Sequence, residues 1–303
     1  MQTMNQSLGP LTPIVLFVYN RPWHTQQTIE ALRKNVLANE SELYIFSDAA
    51  QEETARQDVK AVREYLKTIN GFKHVTIFEQ KTNLGLAGSI INGVTKIISE
   101  YGQVIVLEDD IVTSPYFLKF MNEALEFYKH KKRIWHISGW NYPIVSDEKD
   151  DVFLWRVMNC WGWATWADRW SHYEKNTQKL MQTFTQSDIR RFNLDGRANF
   201  WAQVIANEEG AIDTWAIYWY ATIFKHGGLC LNPVQTFVEN IGIDGSGENC
   251  SSNKSYIDQV NMKPNVTFVD DDKESEKYLN AVKKYLKIGI IDRIRRRLQW
   301  TSK

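Results

Sequence analysis

A chain of 303 residues, 43% hydrophobic and 13% aromatic, has the material for one large core or two smaller ones, which excludes a disordered protein. Its 36 basic residues balance 36 acidic ones, so no net field draws it to nucleic acid or to another polyanion. Three scattered cysteines, Cys160, Cys230 and Cys250, have no CxxC spacing; they argue against a disulfide framework or zinc site and for a reducing, cytoplasmic compartment.

Residues 1–12 read as a polar N-terminal extension without an apolar signal core, and no run of eighteen apolar residues follows, so neither an export signal nor a membrane span is expected. Pro13–Tyr19 (PIVLFVY) is a buried strand. Asn20-Arg21-Pro22 ends it, because proline cannot donate to a ladder but suits the first turn of a helix, predicted over Trp23–Val36. Leu43–Ser47 is a second strand, closed by Asp48-Ala49-Ala50; an amphipathic helix over Gln51–Ile69 and a strand over Val75–Phe78 follow. The loop Asn83-Leu84-Gly85-Leu86-Ala87-Gly88 then runs into a helix over Ser89–Glu100 and a strand over Val104–Leu107. This alternation predicts an α/β fold: a mostly parallel, Rossmann-like sheet with helices on both faces. Neither GxGxxG nor GxxxxGK[ST] occurs, which removes the main support for a dinucleotide-dependent oxidoreductase or a P-loop kinase.

The strand that ends at Leu107 runs straight into Glu108-Asp109-Asp110. Unpaired charges are costly in a core, so the chain surfaces there, at the strand end where open α/β sheets bind ligands. Three adjacent carboxylates call for a cation, and hard oxygen donors suit Mg²⁺ or Mn²⁺. Capping of a helix near Ser114 and Pro115 is the other reading. Because parallel strands share a direction, Asn20, Arg21 and Asp48 are expected at the same edge; Asp48 alone reads equally well as a solvated turn or a cap.

Ten of the twelve tryptophans lie between Trp135 and Trp219. Trp161-Gly162-Trp163 and Trp215 fit either a packed core or a platform on which a sugar stacks, and Gly162 suggests a close backbone approach. Asp213 precedes a predicted helix over Thr214–Lys225 among apolar neighbours, so it is read as a helix N-cap, a general base of raised proton affinity, or both. Asn240–Asn249, with Asn240, Asp244 and Ser246, is glycine- and Asx-rich and is expected to be a mobile loop that closes on substrate. Val266–Val269 reads as a short strand, and Asp270-Asp271-Asp272 as the start of a long helix. From Lys283 to Lys303 eight residues are basic and only Asp292 is acidic, a basic amphipathic helix that either docks on the domain or lies on an anionic membrane as a peripheral anchor.

The ordered set Phe17-Val18-Tyr19-Asn20-Arg21-Pro22, Asp48, Asn83-Leu84-Gly85 and Leu107-Glu108-Asp109-Asp110 resembles the nucleotide-sugar-binding half of GT-A fold glycosyltransferases. It looks most like the N-acetylglucosaminyltransferase I type, which uses a Glu-Asp-Asp version of the DxD motif. Trp161-Gly162-Trp163 and Asp213-Thr214-Trp215 look like that family's acceptor-side and catalytic segments, so the resemblance covers roughly Pro13 to Asn249. It implies a nucleotide-sugar half over 13–133, an acceptor and catalytic half of the same domain over 134–262, and a helical tail over 263–303. It further implies that Tyr19, Asn20, Arg21, Asp48 and Asn83 bind the nucleotide, with uridine as its base, and that Gly85 lets the backbone approach the donor. Asp110 would hold Mn²⁺ or Mg²⁺, Glu108 and Asp109 would touch the donor sugar or ribose, and Asp213 would be the base. One base on the far face means inversion, whereas two carboxylates flanking the sugar would mean retention. The expected activity is metal-dependent transfer from a UDP-sugar to a hydroxyl of a glycan or lipid-linked glycan. A sugar-nucleotide pyrophosphorylase and a non-catalytic carbohydrate-binding protein are the alternatives.

Overall fold

The structure, a computed structural model, describes residues 9–144, 150–244 and 260–287. Its first half alternates β1 (Ile14–Val18), α1 (Pro22–Arg33), β2 (Glu42–Ser47), α2 (Arg56–Leu66), β3 (His74–Glu79), α3 (Gly85–Tyr101) and β4 (Gln103–Glu108). A short β5 (Ile111–Thr113) leads to α4 (Phe117–Tyr128), β6 (Ile134–Ser138), β7 (Val152–Trp155) and β8 (Trp163–Trp166). Helices α5 (Ala167–Trp170), α6 (Thr177–Thr183), α7 (Gln186–Phe192), α8 (Trp201–Glu208) and α9 (Ala216–Lys225) come next, then β9 (Leu229–Pro233) and β10 (Val238–Asn240).

Eight strands form one sheet in the order β3-β2-β1-β4-β8-β6-β9-β7. The strands β1 to β4 are mutually parallel, as are β6 and β9, while β8 and β7 run against their neighbours. The β4–β8 pair stitches the two sequence halves into one sheet. Period-two alternation sorts the side chains: Val15 and Phe17 of β1 face a core shared with α3 and α9, whereas Ile14, Leu16 and Val18 face one shared with α1, α2 and α4. Helices therefore cover both faces, and β1 is buried on both, which is why it reads as an unbroken apolar run.

Local chemistry explains the shifted boundaries. Glu53–Ala55 is a 3₁₀ turn, so α2 begins at Arg56, later than periodicity suggests. Gly85, at φ 69°, turns the chain directly into α3, earlier than expected. Gly102, at φ 78°, closes α3 as a left-handed cap.

Two expectations for the tail change. Val266–Val269 forms no strand; instead Phe268 packs on Phe120, Phe127 and Tyr128. Asp270 and Asp272 do not open a helix but pair with Lys131 and Arg133, and helical residues begin only at 276. Within 276–287, Tyr278, Leu279 and Val282 are buried in the α3/α9 core, so this stretch docks on the domain. Most of the predicted basic helix, 288–303, lies outside the described residues, among which no helix is long and apolar enough to cross a membrane.

Candidate functional site

Register places the site. Phe17 of β1 pairs with Glu108 of β4, and Val18 of β1 with Ser47 of β2, so the next residues of each strand, Tyr19 to Arg21, Asp48 and Asp109–Asp110, emerge at one edge. They border a cavity of about 490 Å³. Of the sequence-predicted residues, Tyr19, Asn20, Arg21, Asp48, Asn83, Gly85, Glu108, Asp109, Asp110, Trp161, Trp215 and Asn240 line it. Gly162, Trp163, Asp213 and Asp244 do not, and Ser246 lies outside the described residues.

Asp109 and Asp110 are buried, and one guanidinium serves both. Arg21 Nη2 donates to Asp109 Oδ1 and, at 3.0 Å, to Asp110 Oδ2, while its Nε reaches Asp109 Oδ2 at 3.4 Å. Burial pushes the Asp109 carboxyl up to about 6; Arg21 pulls it down and Asp110 pushes it up again. Burial works against the charged guanidinium, but the two carboxylates outweigh it and raise its pKa. Thr28 Oγ1 donates to the Asp109 carbonyl at 2.7 Å and holds the motif from α1.

Asp48 organises the adjacent wall. Its carboxylate accepts from Ala49 N at 2.8 Å and from Leu84 N at 3.0 Å, and Asn83 returns a bond to the Ala49 carbonyl at 2.7 Å. The turn ahead of α3 is thus latched to the end of β2. Arg63, which sequence reasoning missed because it looks like one more surface charge on α2, completes the latch. It donates to the carbonyls of Asp48 at 3.2 Å and Gln80 at 2.9 Å, to Ser47 Oγ at 3.2 Å, and pairs with Glu79 at 3.4 Å. Arg63→Met should cost about 2 kcal/mol of stability, since charge-assisted bonds to carbonyls are lost. On the expectation that a nucleotide binds at Asp48, its affinity should also fall on the order of tenfold as Asp48 loosens. Thermal unfolding and calorimetric titration with UDP check both, and Arg63→Lys should recover part of each.

The segment expected to be a mobile loop begins as structure. Asn240 is in β10, which pairs antiparallel with β5 directly after the acidic motif. Ile241 N donates to the Asp110 carbonyl at 2.9 Å, and Asp244 Oδ2 lies 3.1 Å from His24 Nε2. A Cβ on Gly242 would meet Asp110 Oδ2 at 2.2 Å and Arg21 Nη1 at 2.9 Å, so only glycine packs there. His24, Gly242 and the β5–β10 pair were also missed; three-residue strands are too short to leave a periodic signal.

The tryptophans divide. Trp163 is fully buried, stacked on Trp215 at 5.0 Å and on His136 at 5.4 Å, so its ring packs the core and does not face the cavity. Gly162, at φ 60°, makes its close approach to Phe117 and Val238 of the protein itself. Trp161 stands edge-on to Trp140 and does line the cavity. The dry environment expected for Asp213 is not found: its side chain is 70% exposed and paired with Lys175. Nor is it a cap, because α9 starts at Ala216 with Trp215 at the N-cap position. Its neighbours Ile212 and Thr214 do line the cavity, on the wall that also carries Trp215.

Among the described residues no cluster of three His, Cys, Asp or Glu side chains forms a self-sufficient metal cage. Asp109 and Asp110 still fit Mg²⁺ or Mn²⁺, whose sites pair one or two carboxylates with substrate phosphates. Their hard oxygens already share a cation, the Arg21 guanidinium.

Comparison with known proteins bears on this arrangement. No curated protein matches the chain significantly. Among solved structures, Staphylococcus aureus TarS 1–349 in complex with UDP is 16% identical over 47% of this chain and 40% of that one, at a TM-score of 0.32. TarS 1–349 by itself is 10% identical over 75% of this chain and 60% of that one, at 0.41. The mannosyltransferase PcManGT of Pyrobaculum calidifontis, in complex with GDP-Man and Mn²⁺, is 12% identical over 75% of this chain and 72% of that one, at 0.40. The chain thus spans less than two thirds of the TarS structures. The profile described as glycosyl transferase family 2 matches residues 14–193. That match, more than half of the sequence, runs from β1 through α7 and takes in each parallel strand end that borders the cavity; the chain belongs to glycosyl transferase family 2.

Proposed function

We propose that the protein transfers a sugar, with inversion, from a nucleotide donor to a hydroxyl of a glycan or lipid-linked glycan, using Mn²⁺ or Mg²⁺. The observation that carries this reading is the buried Asp109–Asp110 pair at the end of β4, facing a 490 Å³ cavity whose other wall is the Asp48 latch. A UDP-sugar is the first donor to test, and the Glu-Asp-Asp resemblance to the N-acetylglucosaminyltransferase I type belongs to this proposal.

In the proposed reaction the nucleotide base sits against Tyr19, Asn20, Asp48 and Asn83, with Gly85 leaving room for it, while Arg21 and the acidic motif face the diphosphate and sugar. Asp110 would hold the divalent ion, with Glu108 and Asp109 against the ribose or sugar. The ion, when bound, supplies positive charge where the diphosphate departs. Attack by the acceptor oxygen forms the new bond at C1 as the bond to the diphosphate breaks, and that electron pair leaves with the diphosphate. The acceptor proton passes to Asp213, which stands outside the cavity lining between Ile212 and Thr214 and must first leave Lys175, a step worth on the order of 10² to 10⁴ in rate. Trp161, edge-on to Trp140 at the cavity, offers a ring to the sugars, while Trp215, 2% exposed and stacked on Trp163, backs the wall behind them.

The test is a panel of UDP- and GDP-sugars incubated with the purified chain, Mn²⁺ and glycan acceptors. Nucleoside diphosphate release that depends on the sugar nucleotide supports the reading. Sugar-1-phosphate and nucleoside triphosphate formed on adding pyrophosphate would identify a pyrophosphorylase instead. Sugar binding with no nucleotide affinity would leave only a carbohydrate-binding protein.

A further inference from the structure

We propose that Arg21 is the exchangeable counter-ion of the Asp109–Asp110 pair, so that a divalent cation and a nucleoside diphosphate enter this site as partners, each poorly without the other. The inference deepens the functional reading above and rests on it.

Two buried carboxylates share a single guanidinium, and the sharing is unequal. Asp109 receives both Nε and Nη2, whereas Asp110 holds only one contact, 3.0 Å from Nη2. Turning Asp110 toward a metal costs one hydrogen bond while Arg21 keeps its grip on Asp109. The obstacle is charge. A dication on Asp110 Oδ2 would stand beside a guanidinium that is itself mostly buried, and two cations repel strongly where little water screens them. An anion between them removes the obstacle, and a diphosphate carries the charge and the oxygens to touch both.

The third nitrogen points the same way. Arg21 Nη1 is buried and has no acceptor among the described residues. It lies against Gly242, where a Cβ would come within 2.9 Å of it and within 2.2 Å of Asp110 Oδ2. A buried N–H without a partner is costly, and a phosphate oxygen is the acceptor a fork-shaped guanidinium pairs with best. Arg21 is therefore an electrostatic gate: it disfavours the metal alone and favours the metal with its nucleotide. By linkage, metal must raise nucleotide affinity by the factor that nucleotide raises metal affinity.

The experiment is Mn²⁺ binding to the intact chain, followed by electron paramagnetic resonance of the free ion, with no nucleotide, with UDP and with GDP. In the wild type, UDP or GDP should tighten Mn²⁺ binding by at least about tenfold. Arg21→Gln should bind Mn²⁺ alone at least about tenfold tighter than the wild type, and the nucleotide should then add less than ~threefold. Arg21→Lys, a point charge without the fork, should fall between them, and Asp110→Asn should lose Mn²⁺ under all three conditions. Circular dichroism and thermal melting verify that each variant folds. Unchanged or weaker Mn²⁺ binding by a folded Arg21→Gln variant overturns the proposal, as does a wild type that binds Mn²⁺ equally with and without nucleotide. If neither UDP nor GDP binds the wild type, the functional reading fails and the partnership with it; the nucleotide-free comparison of Arg21→Gln with wild type still judges the counter-ion role separately.

Discussion

Replacing Asp110 with asparagine is expected to lower kcat/KM for sugar-nucleotide turnover on the order of 10²- to 10³-fold, because a metal ion contributes several kcal/mol of leaving-group stabilisation. Fold stability should barely move. Asp110 accepts one side-chain bond from Arg21, and Arg21 keeps its two contacts to Asp109, so the variant replaces a surplus negative charge with a neutral group of the same shape. Removing a buried charge that lacks a full partner is neutral or favourable, unlike breaking a complete pair. The Asp109 carboxyl, which Asp110 helps push up, should titrate lower in the variant. Steady-state kinetics with Mn²⁺ and thermal melting read the two effects separately. A variant that keeps wild-type kcat/KM would place the diphosphate elsewhere; one that loses both activity and fold would mean that the pair is structural.

The contrast with Arg63 shows where sequence reasoning reaches and where it stops. An apolar run that ends in Glu108-Asp109-Asp110 announces itself, because burying β4 forces its charges to the strand end, and the direction of a parallel sheet carries Asn20, Arg21 and Asp48 to the same edge. That inference needs only one-dimensional order. Arg63 and His24 act through folds of the chain that no local pattern encodes: one ties the ends of β2 and β3 from a helix face, the other reaches a partner 220 positions away. The tryptophans fail for a different reason. Composition says that large rings are buried but not which of their faces remain open, so Trp161 at the cavity and Trp163 in the core are indistinguishable as letters. Asp213 illustrates the converse error: apolar neighbours in sequence suggested a dry carboxyl, yet those neighbours turn inward and leave the acid outside.

That outward position makes Asp213→Asn the most discriminating substitution. Loss of the base should reduce kcat on the order of 10²- to 10⁴-fold while nucleotide affinity stays within about twofold, because the residue lies beyond the cavity lining that surrounds the donor. The Lys175 pair adds a second readout. Lys175 donates to Asp213 and lies 5.8 Å from the Tyr218 ring, so in the proposed role an acceptor hydroxyl has to compete with Lys175 for the acid. Lys175→Met should accordingly leave donor binding unchanged and alter kcat far less than Asp213→Asn does, since it frees the base without removing it. A fully active Asp213→Asn enzyme would rule out this assignment. The next acid to test would be Asp244, because it follows the segment fastened to the Asp110 carbonyl and pairs with His24 of α1. Activity that survived at Asp213 but failed at Asp244 would therefore shift the proton acceptor from the rim near α9 to the β10 side of the cleft, and with it the side from which the acceptor enters.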